Sequence, residues 1–253
     1  MKRIKGLVLS FLGILIILAV GSWLIRHLQS LGPMAPLAQS WREASNRVVL
    51  LVNGEPATER EWVIQYEELR LNPQNAAKSD HEIKVETLEN VIRNKALLVE
   101  ALGKGYRVNE EEARVYAEEQ RKAFQSPDAV PEDRAFLENF IKGLGVSEEE
   151  YWGKIAPQAY MLLLPQIHLR ESLRATFQPL TFDELEAFKE KHPEWKSLAE
   201  EALALKAQEE KFQDFWEDYA RDLVRKAKIE ILAPDLKEIQ EEALKAFEVS
   251  QTE

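Results

Sequence analysis

Strand-forming sequence is confined to two short runs near opposite ends of the body, and nearly everything between them reads as helix. Val48 to Val52 is an unbroken apolar run of strand length. In Ala227-Lys-Ile-Glu-Ile-Leu232, Ile229 and Ile231 alternate with Glu230, as in a half-buried strand. A lone strand at 48–52 leaves its backbone donors and acceptors unpaired. The strand at 228–232 is its natural partner.

Between the two strands the apolar residues recur at three- and four-residue steps. Asn53-Gly54 is a turn signal, and Thr58-x-x-Glu61 has capping-box spacing. With Trp62, Tyr66 and Leu69 at helical intervals, this predicts a helix over 58–70. Residues 72–80 are polar, contain Pro73 and read as a loop. Val85, Leu88, Val91, Ile92, Leu98, Val99 and Leu102 predict a long core-facing helix over 81–102, ended by Gly103 and Gly105. Asn109 followed by three glutamates opens a helix that runs to about Phe124. Ser126-Pro127 and Pro131 punctuate a loop, and Phe136, Phe140, Ile141 and Leu144 mark a short helix.

Ser147-x-x-Glu150 opens a long segment over 148–173 that contains Pro157 and Pro165. An interior proline costs about 3 kcal/mol, so kinks or a break are expected there. Thr181-x-x-Glu184 opens a helix over 182–191 with Phe182, Leu185 and Phe188 on its apolar side. Leu198, Leu203, Leu205, Phe212, Phe215, Trp216, Tyr219 and Leu223 give the last long helix, 196–227, its stripe. A short helix over 235–247 follows Pro234.

The N-terminus is of another kind. Lys2, Arg3 and Lys5 precede Gly6 to Ile25, which carries no charge. About 20 apolar residues span the hydrocarbon core of a bilayer, whereas a cleaved signal peptide has a shorter apolar core. The best cleavage candidate follows Ala38, but Pro36 at its minus-three position fits poorly. Residues 1–26 therefore read as an uncleaved signal anchor forming a single transmembrane helix, with secretion after cleavage as the alternative. The basic residues ahead of the run favour a cytoplasmic N-terminus and an extracytoplasmic body. Residues 27–46, with Gly32, Pro33 and Pro36, read as a linker; 47–232 as the folded domain; 233–253 as a C-terminal helix and tail.

Charge and composition narrow the chemistry. The chain carries −11, and without Lys2, Arg3, Lys5 and Arg26 the remainder carries −15. So acidic a body is a poor binder of nucleic acid, whose phosphates need Lys and Arg, and is disfavoured on anionic lipid. There is no cysteine, hence no disulfide, thiolate nucleophile or lipoprotein anchor. His27, His81, His168 and His192 lack helical His partners, and neither a zinc motif nor a phosphate-cradling glycine loop occurs. Ser147 and Thr58 read as helix caps, not nucleophiles. No catalytic residue, metal site or cofactor is expected.

Five segments carry a resemblance. Val52-Asn-Gly-Glu-Pro-Ala-Thr58, the stretch Leu88 to Gly105 with Asn94-Lys-Ala-Leu-Leu-Val-Glu-Ala101, Tyr106-Arg-Val-Asn-Glu-Glu-Glu112, Gly143-Leu-Gly-Val-Ser-Glu-Glu-Glu-Tyr151 and Leu180 to Trp195 resemble, in order, segments of the SurA/PrsA-type extracytoplasmic chaperones. The likeness covers roughly 48–175 and 180–232. In that family a parvulin proline-isomerase domain usually sits before the last helix. Here only Glu194-Trp-Lys-Ser-Leu198 stands at that point, and the parvulin catalytic histidines have no matching positions. The resemblance implies a mainly α fold, SurA N-terminal-like, in which the 48–52 and 228–232 strands form one small β pairing that closes a helical domain. It implies a membrane-anchored chaperone that holds unfolded or exported polypeptides without isomerase chemistry. The alternative is a non-catalytic scaffold that binds one folded partner at the membrane surface.

Aromatic residues carry what site signal there is. Trp62, Tyr66, Phe136, Phe140, Tyr151, Trp152, Tyr160, Met161, Phe215 and Trp216 are the candidates for client contact. Aromatic and Met side chains give contact area without fixed partners. The competing role is plain core packing. Tyr151 and Trp152 are neighbours on a helix, so both cannot face one core. The acidic runs Glu110–Glu112, Glu148–Glu150 and Glu209–Glu210 read as solvated faces.

Overall fold

The computed structural model describes residues 45–72, 75–195 and 198–248. The charge-free run at 6–25 and the helix expected over 1–26 lie outside the described residues. Among the described residues no helix is long and apolar enough to cross a membrane.

The strands pair as the lone-strand argument requires, with one addition. β1 (Val48–Val52) pairs antiparallel with β3 (Ile229–Ile231), placing Leu50 opposite Ile231 and Val52 opposite Ile229. A further strand, β2 (Glu55–Thr58), pairs with the other edge of β1, giving the order β2-β1-β3. The expected fold class is therefore corrected: the sheet has three strands and two pairings, and no membrane-crossing helix is found among the described residues. The physical reason for the extra strand lies in Asn53 and Gly54. Both have positive φ, 52° and 85°, and form the tight two-residue turn that returns one strand directly against the next. Pro56 does not prevent this, because β2 is an edge strand and needs no donor on its outer side. The Asn53 side-chain oxygen also accepts from the Lys228 amide at 2.7 Å, tying the hairpin to β3.

α1 (Glu59–Leu71) starts directly from β2, with the Thr58 hydroxyl accepting from the Glu61 amide. α2 (Asp80–Gly103) begins with a full capping box, Ser79 and Glu82. It buries Leu88, Val91, Ile92 and Ala96 against the sheet. α3 (Glu110–Gln125) opens with a second full box, Asn109 and Glu112. α4 (Pro131–Leu144) starts on Pro131 itself, where a proline's missing N–H would be unpaired anyway.

Where kinks or a break were expected after Ser147, the segment stays helical throughout, with a π-helical irregularity in it. α5 (Glu148–Glu150) runs through a π-helical turn (Tyr151–Ile155) into α6 (Ala156–Thr176). The wider π turn takes up the irregularity that Pro157 introduces in the first turn of α6. Pro165 sits inside α6. Its missing N–H leaves the Met161 carbonyl without a helical donor, and one residue on the Gln166 side chain donates to the Leu162 carbonyl at 2.9 Å. α7 (Phe182–Lys191) carries a third full box, Thr181 and Glu184. A 3-10 turn (Pro193–Trp195) precedes α8 (Glu200–Lys226). Two short helices, α9 (Pro234–Lys237) and α10 (Gln240–Lys245), end the described chain.

One large core joins the two ends. Leu50, Val52, Leu88, Ile92, Val224, Ile231, Leu236 and Ala243 belong to a single buried cluster. Two smaller clusters stand apart: Ala117, Trp152 and Ala156 between α3, the π turn and α6, and Phe188, Leu203 and Ala207 between α7 and α8. Two stripe positions do not face any core. Phe182 is 72% exposed and Leu205 73%.

Candidate polypeptide-binding cleft

α2 is the floor of the molecule. α1 packs along one flank of it and α6 along another, without close packing of α1 on α6. The end of α1 lies near enough to the π turn for a charge on one to be felt at the other. There the Glu68 charge acts on the Tyr151 phenol. Glu68 reaches water, yet the mass of protein around it raises its carboxyl pKa.

The opposite wall is a row of tyrosines. Tyr151 from the π turn, Tyr160 from α6 and Tyr116 from α3 are each half-buried. Tyr116 and Tyr160 meet edge to face with centroids 4.8 Å apart. Burial raises all three phenols, Tyr116 and Tyr151 to about 12. They are neutral donors at physiological pH, and among the described residues no hydrogen-bond partner meets their hydroxyls. Phenol O–H groups donate to carbonyls, which an extended polypeptide presents at every residue.

Next to this row, α6 turns Met161, Leu162 and Leu163 outward, 38%, 36% and 40% exposed. Four apolar residues in succession, Met161 to Leu164, cover more of a helix than one core can bury. Leu164 and Leu169 take the buried side, and the other three are left facing out.

The ten candidate residues fall into separate groups. Phe140, Tyr151, Trp152 and Tyr160 come together: Phe140 meets Tyr151 edge to face at 6.2 Å, and Tyr151 meets Trp152 at 5.1 Å. Trp152 is the inward member of the pair, 5% exposed and packed on Ala117 and Ala156. Met161 lies beside this group on the exposed face of α6. Trp62 and Tyr66 stack on each other at 5.2 Å on α1, with Trp62 against the main core and Tyr66 hydrogen-bonded to Asp80. Phe215 and Trp216 belong to a third group on α8 with Phe177, Phe212 and Tyr219. Arg170 lies over the Phe212 and Trp216 rings at 5.6 and 5.7 Å, and Tyr219 donates to Glu100 at 2.7 Å. The Phe136 side chain lies outside the described residues.

Sequence reasoning missed Tyr116, Glu68, Leu162 and Leu163. The two leucines had a readable signal in the unbroken apolar run. Tyr116 and Glu68 had none, because their positions depend on contacts between distant helices. Away from the cleft, α7 and α8 form a depression floored by Phe188 and Ala207. Its rim is held by the Lys211–Glu184 and Lys191–Glu210 ion pairs, 2.8 and 2.6 Å. Among the described residues no group of three or more His, Asp or Glu could hold a metal ion.

No protein-family model matches the chain, and searches of curated proteins and of solved structures return no match.

Proposed function

We propose that this protein holds unfolded polypeptide segments in the cleft above α2, reversibly and without bond chemistry. The observation that carries the reading is the outward-facing run Met161, Leu162 and Leu163 beside the tyrosine row. Exposed apolar side chains near hydroxyl donors suit an extended chain, which offers apolar side chains and carbonyls together. Met adapts its shape to different partners. The −15 body keeps a loaded complex soluble. The five-segment resemblance to the SurA/PrsA-type chaperones supports the same reading. An extracytoplasmic location at a membrane is part of the proposal and rests on Lys2, Arg3, Lys5 and the uncharged run that follows.

The test is light scattering by a chemically denatured client diluted into an equimolar amount of the full-length chain. Suppression of scattering is expected. The double variant Leu162→Ser, Leu163→Ser should lose most of it while its unfolding free energy stays within about 0.5 kcal/mol per site, as for exposed positions. An inactive wild-type chain would refute the holding reading and leave the scaffold for one folded partner.

A further inference from the structure

Away from the cleft, His192 sits in a clamp at the end of α7. Its Nδ1 lies 3.2 Å from Glu194 in the 3-10 turn, and its Nε2 lies 3.2 Å from Glu210 on α8. The ring stacks on Trp195, with centroids 4.4 Å apart and planes at 10°, and meets Phe188 at 4.5 Å. Its side chain keeps only 17% of its exposure, so water has little access to either nitrogen. A neutral imidazole has one N–H donor and one acceptor nitrogen, whereas the imidazolium has two donors. An ionised carboxylate only accepts. Carboxylates on both ring nitrogens are therefore satisfied together by the charged ring alone. On the neutral ring one nitrogen turns its lone pair toward a carboxylate oxygen.

The other charged groups around the clamp come from both helices. Lys191 of α7 shares Glu210 with the ring, at 2.6 Å, and feels Asp214 of α8. Lys206 of α8 lies over the Trp195 ring at 4.6 Å. The Lys211–Glu184 pair, 2.8 Å, is the next link between the two helices. Hydrogen bonds hold both clamp carboxyls below their ordinary range. A backbone amide and His192 act on Glu194, and Lys191 and His192 on Glu210. Both stay ionised while the ring gains or loses its proton.

We propose that His192 is a proton-operated latch between α7, the 3-10 turn and α8, closed while the ring carries two protons and loosened when it loses one. Histidine is the side chain that changes charge between about pH 5 and 8. Phe188 floors the depression between α7 and α8 and packs on both His192 and Trp195, the latter at 5.5 Å. Loosening the latch uncovers that ring, so the apolar surface offered at the depression grows as pH rises. The latch is independent of the tyrosine row and does not rest on the holding reading.

The experiment is amide exchange on the full-length chain, read as protection factors at about pH 6 and about pH 8. The reporters are the His192 amide, which donates to the Phe188 carbonyl at 3.0 Å, and the Trp195 amide, which donates to the His192 carbonyl at 3.1 Å. Their protection should fall by about tenfold at the higher pH, the scale of one hydrogen bond to a charged group. Leu88 and Ile92 in the main core should keep theirs. His192→Asn should be weakly protected at both values. Glu194→Gln is the sharper variant, because its exposed amide can donate to a neutral ring or accept from a charged one. It should keep the latch closed and remove the pH dependence. Equal protection of the wild-type reporters at both values overturns the latch. So does a pH dependence that survives Glu194→Gln, or one that Leu88 and Ile92 share.

Discussion

The pair between α1 and α2 gives the sharpest test of the architecture. Lys95 is 5% exposed, and its ammonium lies 2.9 Å from Glu61, whose side chain keeps 32% exposure. Changing Glu61 to Gln leaves the ammonium in place and removes its counter-charge. Breaking a buried pair in this way costs about 3–5 kcal/mol. Since Glu61 still touches water, about 3 kcal/mol is expected. For a domain of this size each kcal/mol moves Tm by roughly 2–4 °C, so the melt should fall by roughly 6–12 °C. Replacing both partners, Lys95→Met with Glu61→Leu, removes the stranded charge. The double variant should come back to within about 1 kcal/mol of wild type, including about 0.5 kcal/mol for the acid lost from the first turn of α1. Urea unfolding of the three proteins gives the comparison. If Glu61→Gln melts with the wild type, Lys95 is hydrated and α1 does not close over α2. If the double variant is as unstable as the single, the loss comes from packing and the charge argument fails.

Three other perturbations follow from the same structure. Trp152→Ala should cost about 3–5 kcal/mol by urea unfolding, as for buried aromatics, whereas Tyr151→Phe should be near neutral. An unaffected Trp152→Ala would mean that α3, the π turn and α6 do not share a core. The Lys211 ammonium, with the Thr181 amide and hydroxyl, holds the Glu184 carboxyl down to about 2 from its usual 4.5. That contribution is present above pH 4.5 and is lost as pH falls toward 2, so Glu184→Gln should flatten the acid side of the stability curve. An unchanged acid limb would refute it. Burial raises Tyr116 and Tyr151 to about 12, and raises Tyr160 and Tyr219 as well. Unfolded phenols ionise near 10, so their stabilisation is full below that pH and is lost above it. Ultraviolet titration of the folded chain at about pH 11 should therefore find these four protonated, and simultaneous ionisation of all six tyrosines near 10 would contradict it.

Local chemistry made the helices legible, and tertiary neighbours decided the rest. Thr181 with Glu184 and Asn109 with Glu112 placed two helix starts correctly, because a capping box is complete within four residues. The long run Val85 to Leu102 gave α2 for the same reason: its period records which face is buried. β2 was read as a turn leading into a helix, since Thr58 and Glu61 do cap α1. The same threonine also ends a strand, and a capping motif carries no information about what precedes it. Pro157 and Pro165 argued for kinks or a break. A π turn just ahead of Pro157 is the irregularity that results, and the helix runs on through Pro165. Phe182 and Leu205 sit at apolar stripe positions and are exposed, because none of the described residues packs over that face of α7 and α8. The tyrosine row, with Tyr116 meeting Tyr160 at 4.8 Å, joins helices far apart in the chain and has no local signature.

The distribution of buried residues also says how such a cleft can work. The floor belongs to the large cluster that ties the sheet to α2, the end of α8 and the short helices α9 and α10. The α6 wall is held to α3 by a cluster with only Ala117, Trp152 and Ala156 fully buried. Local opening costs least where few apolar contacts are lost, so the wall should open while the floor stays closed. Native-state amide exchange should therefore be slowest at Leu50, Val52, Leu88 and Ile92 and clearly faster in α3 and the π turn. Equal protection across both would show one cooperative unit and a rigid cleft. Such a cleft would fit segments of one thickness, and the adaptable holding surface would lose its physical basis. Faster exchange in the wall, slowed again by a bound peptide, would show that the weakly packed side is the one that adjusts to the chain it holds.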